Sequence, residues 1–177
     1  MTQRINLDII KENIRNVSDF PKPGIQFKDI TTVLKNPEYF SYLIEAFTEM
    51  YQNKGITKVV CIESRGFILG GAIALKIGAG FVPIRKPGKL PAPSYSKKYA
   101  LEYGTDTLEI HKDSLIENDI VLLHDDLLAT GGTALASIDL LKNFSLQKIY
   151  LSFICELDFL HGRDALKGFE VTSLIQY

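Results

Sequence analysis

Two features of the chain predict an α/β fold, a mostly parallel twisted sheet flanked by helices on both faces. Apolar runs of strand length alternate with stretches of helical spacing, the pattern of βαβ units. Residues 121–133 (VLLHDDLLATGGT) then pass from an apolar run through two carboxylates and a small-residue turn into a further helical stretch. In chain order, residues 7–17 have helical spacing and lead into the turn-rich Phe20-Pro-Lys-Pro-Gly24. Asn36 is a capping residue ahead of Pro37, and Tyr39, Phe40, Leu43, Ile44, Phe47 and Met50 form the apolar stripe of the helix that follows. Strands are predicted over 58–62, 81–84, 120–123, 149–154 and 171–175, with helices near 66–77 and 132–143. The break at Gly78-Ala79-Gly80 divides a helix from a short strand.

A chain of 177 residues is of single-domain length and can bury one sizeable core. With 46% hydrophobic residues, 23% charged residues and a formal net charge of −1, it has the balance of an ordinary soluble globular protein. No basic excess points to a nucleic-acid partner. Cys61 and Cys155 each lie within apolar strand-like runs and are expected to be reduced and packed, which fits a cytoplasmic protein, as does the lack of a signal-peptide pattern at Met1. Residues 66–84 carry a single charge, Lys76, over nearly a membrane-spanning length, but five glycines and Pro83 argue against a span. Pro83 also spoils Gly78-x-Gly80 as a dinucleotide fingerprint, and no Walker lysine follows Gly131 and Gly132.

The chemistry concentrates in 121–133. Asp125 and Asp126 are placed at the carboxyl end of a strand, where open α/β sheets bind ligands. Ala129, Thr130, Gly131, Gly132 and Thr133 make a turn with little side-chain bulk, so an anion can reach bare N–H groups at a helix start, where the helix dipole also favours negative charge. Carboxylates repel a phosphate but suit the hydroxyls of a sugar that carries one, so a phosphorylated ribose satisfies both halves. A βα turn with two acidic residues as helix caps is the competing reading. His124, on the strand itself, is expected to pack or to make one hydrogen bond. Glu63-Ser64-Arg65-Gly66 ends another strand, and the Arg65 guanidinium suits diphosphate oxygens, although an exposed arginine at a helix start explains it equally simply. Residues 85–107 (RKPGKLPAPSYSKKYALEYGTDT) break the βα rhythm, as a lid or binding loop does, or as a surface excursion with an antiparallel hairpin does.

The string 125–133 resembles the phosphoribosyl-diphosphate (PRPP) binding motif of the type I phosphoribosyltransferases, and its DDLLATGGT form is similar to that of the adenine phosphoribosyltransferases. The strings FPKPGIQFKDIT, ESRGF, IRKPGKLP, LEYG and the terminal SLIQY extend the resemblance in order over nearly the whole chain, and His124 departs from the small apolar residue usual there. The resemblance implies one phosphoribosyltransferase domain over 1–177, with residues 1–34 as a small N-terminal hood and helix and 85–107 as a long flexible catalytic loop. It implies transfer of the phosphoribosyl group from Mg²⁺–PRPP to adenine, giving AMP and pyrophosphate, with Mg²⁺ carried mainly by PRPP and water.

Among the residues, the resemblance gives Ala129, Thr130, Gly131, Gly132 and Thr133 the 5′-phosphate, and Asp125 and Asp126 the ribose hydroxyls. Gln26, Phe27 and Lys28 become the hood over the base, with Phe27 and Leu127 sandwiching the purine. Arg65, Arg85 and Lys89 meet the pyrophosphate, and a cis peptide between Glu63 and Ser64 turns backbone amides toward it. Glu102 is the loop acid near the purine, with Tyr103 beside it in the substrate-binding set. Glu102, Asp125, Asp126 and Arg65 form the catalytic group, no residue is assigned as a metal ligand, and a homodimer is the family's usual assembly. Two alternatives stay open: transfer to another purine base, and a PRPP-sensing regulator, which requires a DNA-binding module not evident here.

Overall fold

A computed structural model describes residues 5–20, 22–24, 26–100 and 104–177. The chain divides into two compact units, Met1–Phe47 and Thr48–Tyr177. In the first, α1 (Leu7–Asn13) begins at Asn6, whose side chain accepts the Ile9 N–H at 2.9 Å. The helical spacing of 7–17 overruns its true end. The Thr32 hydroxyl donates to the Asn13 carbonyl at 2.6 Å and accepts the Arg15 N–H at 3.2 Å, drawing the chain out of the helix. Arg15–Ser18 (β1) then pairs antiparallel with Gln26–Asp29 (β2), so cross-strand pairing overrides a helical period. A short α2 (Thr31–Leu34) precedes α3 (Pro37–Tyr51), where the Asn36 side chain accepts from the N–H groups of Glu38 and Tyr39 at 2.9 and 3.3 Å, as its sequence position predicts.

The second unit holds β3 (Lys58–Ile62), α4 (Gly66–Ile77), β4 (Gly80–Ile84), β5 (Ser94–Ala100), β6 (Thr105–His111), β7 (Ile120–Leu128), α5 (Gly132–Leu141), β8 (Lys148–Glu156) and β9 (Glu170–Gln176). Five of these strands form one sheet in the order β4-β3-β7-β8-β9, every neighbouring pair parallel. Val60, Val121, Leu123, Ile138, Leu151 and Phe153 are among the side chains at its core. Cys61 and Cys155 form no disulfide and have no exposed surface, and burial pushes the Cys61 thiol up. Among the described residues no helix is long and apolar enough to cross a membrane. Gly78, at φ +72°, ends α4 in the left-handed conformation that favours glycine.

The strand order places the site. From β3 the chain winds outward to β4, and from β7 it winds the opposite way to β8 and β9. The reversal lies between β3 and β7, where a crevice opens at the carboxyl ends of the strands. β7 is longer than the apolar run 120–123 predicts. Its pairing with β3 ends at Cys61↔His124, while pairing with β8 continues through Asp125↔Phe153 to Leu128↔Glu156. Asp125 and Asp126 therefore lie within the strand rather than after it, on a stretch where the β3 side is open.

The segment 85–107 is largely a hairpin of β5 and β6, which runs four residues past its predicted end to His111. Leu108 and Ile110 of β6 are buried, and a two-bond bridge between Arg85 and Glu109 ties the hairpin to the end of β4.

Candidate active site

Two adjoining cavities, of about 200 and about 350 Å³, share Arg65, Asp125, Asp126 and Thr133. The first extends over Leu127 and the turn Ala129–Thr130–Gly131–Gly132. The second extends over Glu63 and Ser64 and adds Lys86, Tyr99 and Asp106. The acidic pair with the bare turn that follows it, and the ESRG segment far from both in sequence, thus meet at the topological switch point.

Asp126 has 3% of its side chain exposed and lies 2.9 Å from Arg65 Nε. Its N–H donates to Asp125 Oδ1 at 2.9 Å. Burial pushes both carboxyls up, and the negative charge of Asp126 pushes Asp125 further, whereas Arg65 works to keep Asp126 ionised. Of the pair, Asp126 is the firmer anion and Asp125 the readier proton holder. Gly66 allows this arrangement, because a Cβ there would lie 2.9 Å from the His124 carbonyl oxygen and 3.0 Å from Asp125 Oδ1. His124 itself has no exposed surface. Its Nδ1 lies 2.9 Å from Ser152 Oγ, and burial lowers its pKa to about 3, so it is a neutral packing residue as expected.

The turn before α5 is shaped by close backbone approach. Gly131 has φ +83°, and a Cβ on it would lie 2.5 Å from the Gly162 carbonyl oxygen; one on Gly162 would lie 2.2 Å from the Ala129 carbonyl oxygen. Arg163 holds the Gly162 segment through two hydrogen bonds to the Glu156 carboxylate, at 2.7 and 2.8 Å. Gly132 is different, since among the described residues a Cβ on it would meet nothing closer than the Ala100 carbonyl oxygen at 3.7 Å. The described residues therefore do not themselves forbid a Cβ there.

The Glu63–Ser64 peptide is cis, as the family resemblance implies. Glu63 accepts the Lys86 N–H at 2.8 Å and Arg85 Nε at 2.9 Å, and these contacts hold its carboxyl below the usual range. Arg85 is thus engaged with Glu63 and also lies over the Phe67 ring. Lys86 is ion-paired with Asp106. Lys89 is exposed in the turn after β4 and lines neither cavity, though its charge acts on Glu63. Gln26, Phe27 and Lys28 lie on β2 of the first unit, with the Phe27 ring 5.1 Å from that of Phe20. Glu102 and Tyr103 lie outside the described residues. Sequence reasoning missed Lys86, Tyr99 and Asp106. The Arg85-Lys86 doublet signals the first, whereas Tyr99 and Asp106 come into place only through hairpin pairing.

Comparison with known proteins matches residues 29–166 to the phosphoribosyl transferase domain family. The adenine phosphoribosyltransferase of Phocaeicola vulgatus is 58% identical over 158 residues, covering 89% of this chain and 91% of that protein. The chain belongs to the adenine phosphoribosyltransferase family. The enzyme of Thermoanaerobacter pseudethanolicus superimposes with a TM-score of 0.93 at 48% identity, covering 97% of this chain and all (100%) of the other. The Giardia lamblia enzyme, solved with 9-deazaadenine, gives a TM-score of 0.93 at 40% identity and 98% coverage of both chains.

Gly132→Val tests the turn directly. A Cβ there clashes with nothing among the described residues; if the backbone of the turn holds a phosphate, the added side chain takes up that space, and overpacking of this kind costs about 1–3 kcal/mol. The expected outcome is AMP affinity reduced about tenfold or more by calorimetry, with thermal stability close to that of the parent. Unchanged AMP affinity in the folded variant would put the phosphate elsewhere.

Proposed function

We propose that the chain is a purine salvage enzyme that transfers the 5-phosphoribosyl group of PRPP to adenine, giving AMP and pyrophosphate. One observation carries this reading: Asp125 and Asp126, Arg65 and the bare turn 129–133 meet in one crevice at the strand ends. Purine N9 bonds to C1′ of the ribose as the bond from C1′ to the diphosphate oxygen breaks, and the proton carried by the purine's imidazole ring is given up to a base or to solvent. Positive charge grows on the sugar and negative charge on the leaving group. The acidic pair holds the ribose hydroxyls and faces the first charge; Arg65, Arg85, Lys89 and the Glu63–Ser64 backbone face the second. The turn 129–133 takes the 5′-phosphate at the α5 N-terminus. Mg²⁺ would come with PRPP, carried mainly by that substrate and water, and its charge would offset that of the leaving group.

From the family come the remaining roles. Residues 1–34 act as the hood, with Gln26, Phe27 and Lys28 over the base and Phe27 and Leu127 on the purine faces. Residues 85–107 act as the catalytic loop carrying Glu102 and Tyr103. Closure of that loop keeps water from the activated sugar. A homodimer in the cytoplasm completes the reading. The exposed Ile68, Leu75 and Phe81 on α4 and the edge strand β4 offer a second copy an apolar face.

The test is PRPP with each purine base in turn. A site that pairs a backbone carbonyl with the adenine 6-amino group leaves that acceptor facing another acceptor in hypoxanthine. An unmet buried polar group costs about 1–3 kcal/mol, and sites built around such a bond discriminate more strongly. Adenine should lead hypoxanthine and guanine in kcat/KM by about a hundredfold or more. Comparable values for another base would move the assignment to that base, and no turnover with any base would favour a regulator.

A further inference from the structure

We propose that Tyr99 is a positioning residue that aims the Thr133 hydroxyl at the substrate's 5′-phosphate; the inference rests on the function proposed above. Tyr95, Lys97 and Tyr99 alternate onto one face of β5, and each meets α5 or the residues just after it. The Tyr95 ring is edge-on to Phe144 at 5.5 Å, Lys97 Nζ is 2.7 Å from Asp139 Oδ2, and Tyr99 Oη is 3.3 Å from Thr133 Oγ1. The hairpin therefore lies along the helix, and its last contact falls in the helix's first turn. Thr133 lines both cavities, whereas Tyr99 lines only the second.

A threonine hydroxyl has one proton to give. In a helix its default is to donate back to the carbonyl four residues earlier. Ser137 does this, donating to the Thr133 carbonyl at 2.9 Å. Thr133 instead has a phenol beside its oxygen. Phenols are the more acidic hydroxyls and the better donors, so Tyr99 donates into Thr133 Oγ1 and leaves the threonine proton for an anion at the turn. Among the described residues the hydrogen bond of the Tyr99 phenol is the one to Thr133, and its partner across the hairpin is engaged elsewhere. Asp106, directly opposite, is ion-paired through Oδ2 to Lys86 and accepts the Thr107 N–H at 2.8 Å through Oδ1.

Calorimetry with ribose 5-phosphate tests this. Tyr99→Phe keeps the ring and removes only the hydroxyl. A single hydrogen bond's worth of aim corresponds to a loss of about 3- to 10-fold in ribose 5-phosphate and AMP affinity, with pyrophosphate affinity unchanged. In a Thr133→Val background the same substitution should have no further effect, because Tyr99 acts through that hydroxyl. Lys97→Met, which removes a hairpin-to-helix contact away from the turn, should bind ribose 5-phosphate as the parent does. Wild-type affinity in Tyr99→Phe, additive losses in the double variant, or an equal loss in Lys97→Met would each overturn the inference while leaving the proposed function intact. A parent protein that does not bind ribose 5-phosphate would overturn both.

Discussion

Asp125→Asn should melt a few degrees higher than the parent protein at pH 7 while turning over about 10²- to 10³-fold more slowly, the usual cost of removing one preorganised electrostatic group. The two effects share a cause. Burial and the charge of Asp126 raise the Asp125 pKa in the folded protein, whereas in the unfolded chain the carboxyl titrates near 3.9. Between those values the folded state keeps a proton that the unfolded state has lost, so stability falls as pH rises through the folded pKa. Asparagine keeps an oxygen for the Asp126 N–H, now 2.9 Å from Oδ1, without the charge. Its advantage should be present at pH 7 and absent near pH 3, below both pKa values, with about 2–4 °C gained for each kcal/mol recovered.

Catalysis runs the other way, because the repulsion that weakens the fold is relieved when positive charge develops on the ribose. Thermal melts across pH, beside turnover at saturating PRPP and adenine, check both halves. A variant that melts lower at pH 7 would mean the Asp125 charge is compensated within the protein.

The parts of this site that could be read from sequence are those whose chemistry is local. A carboxylate pair at a strand end, a turn without side chains before a helix and an arginine after a second strand each carry their meaning within a few residues. The order of the elements then places all three at one crevice, since βαβ connections put successive strand ends on the same side of a parallel sheet. What could not be read depends on partners distant in the chain. Helix 7–17 stops at Asn13 because Thr32 intercepts its end. β7 continues to Leu128 because β8 pairs with it there, although Asp125 and Asp126 interrupt its apolar run.

The same limit hid the glycine roles. Gly66 resembles an ordinary helix start, yet its missing side chain lets α4 approach Asp125. Gly131 and Gly132 look equivalent in TGGT, but only Gly131 is pinned, by a carbonyl 31 positions later at Gly162. Tyr99 and Asp106 gained meaning only once β5 and β6 had been set in register.

The largest loss is expected from Glu102→Leu. Ala100 and Thr105 pair across the hairpin, so Leu101-Glu102-Tyr103-Gly104 joins them. The Ala100 carbonyl oxygen, at the end of β5, lies 3.7 Å from where a Cβ on Gly132 would sit. The family resemblance assigns Glu102 as the loop acid near the purine. As N9 bonds to C1′, electron density drains from the purine ring, and a carboxyl group near N7 offsets this by hydrogen bonding or by sharing a proton. That interaction strengthens toward the transition state, so its removal falls on kcat rather than on PRPP binding. Groups in this role contribute about 10²- to 10⁴-fold, the loss expected of the leucine variant at saturating substrates. Glu102→Gln should lose less, because an amide still hydrogen-bonds but cannot share a proton. Wild-type kcat in Glu102→Leu would make Glu102 a surface residue and leave rate enhancement to the acidic pair and the cations around the diphosphate; equal losses in both variants would assign the whole effect to proton sharing.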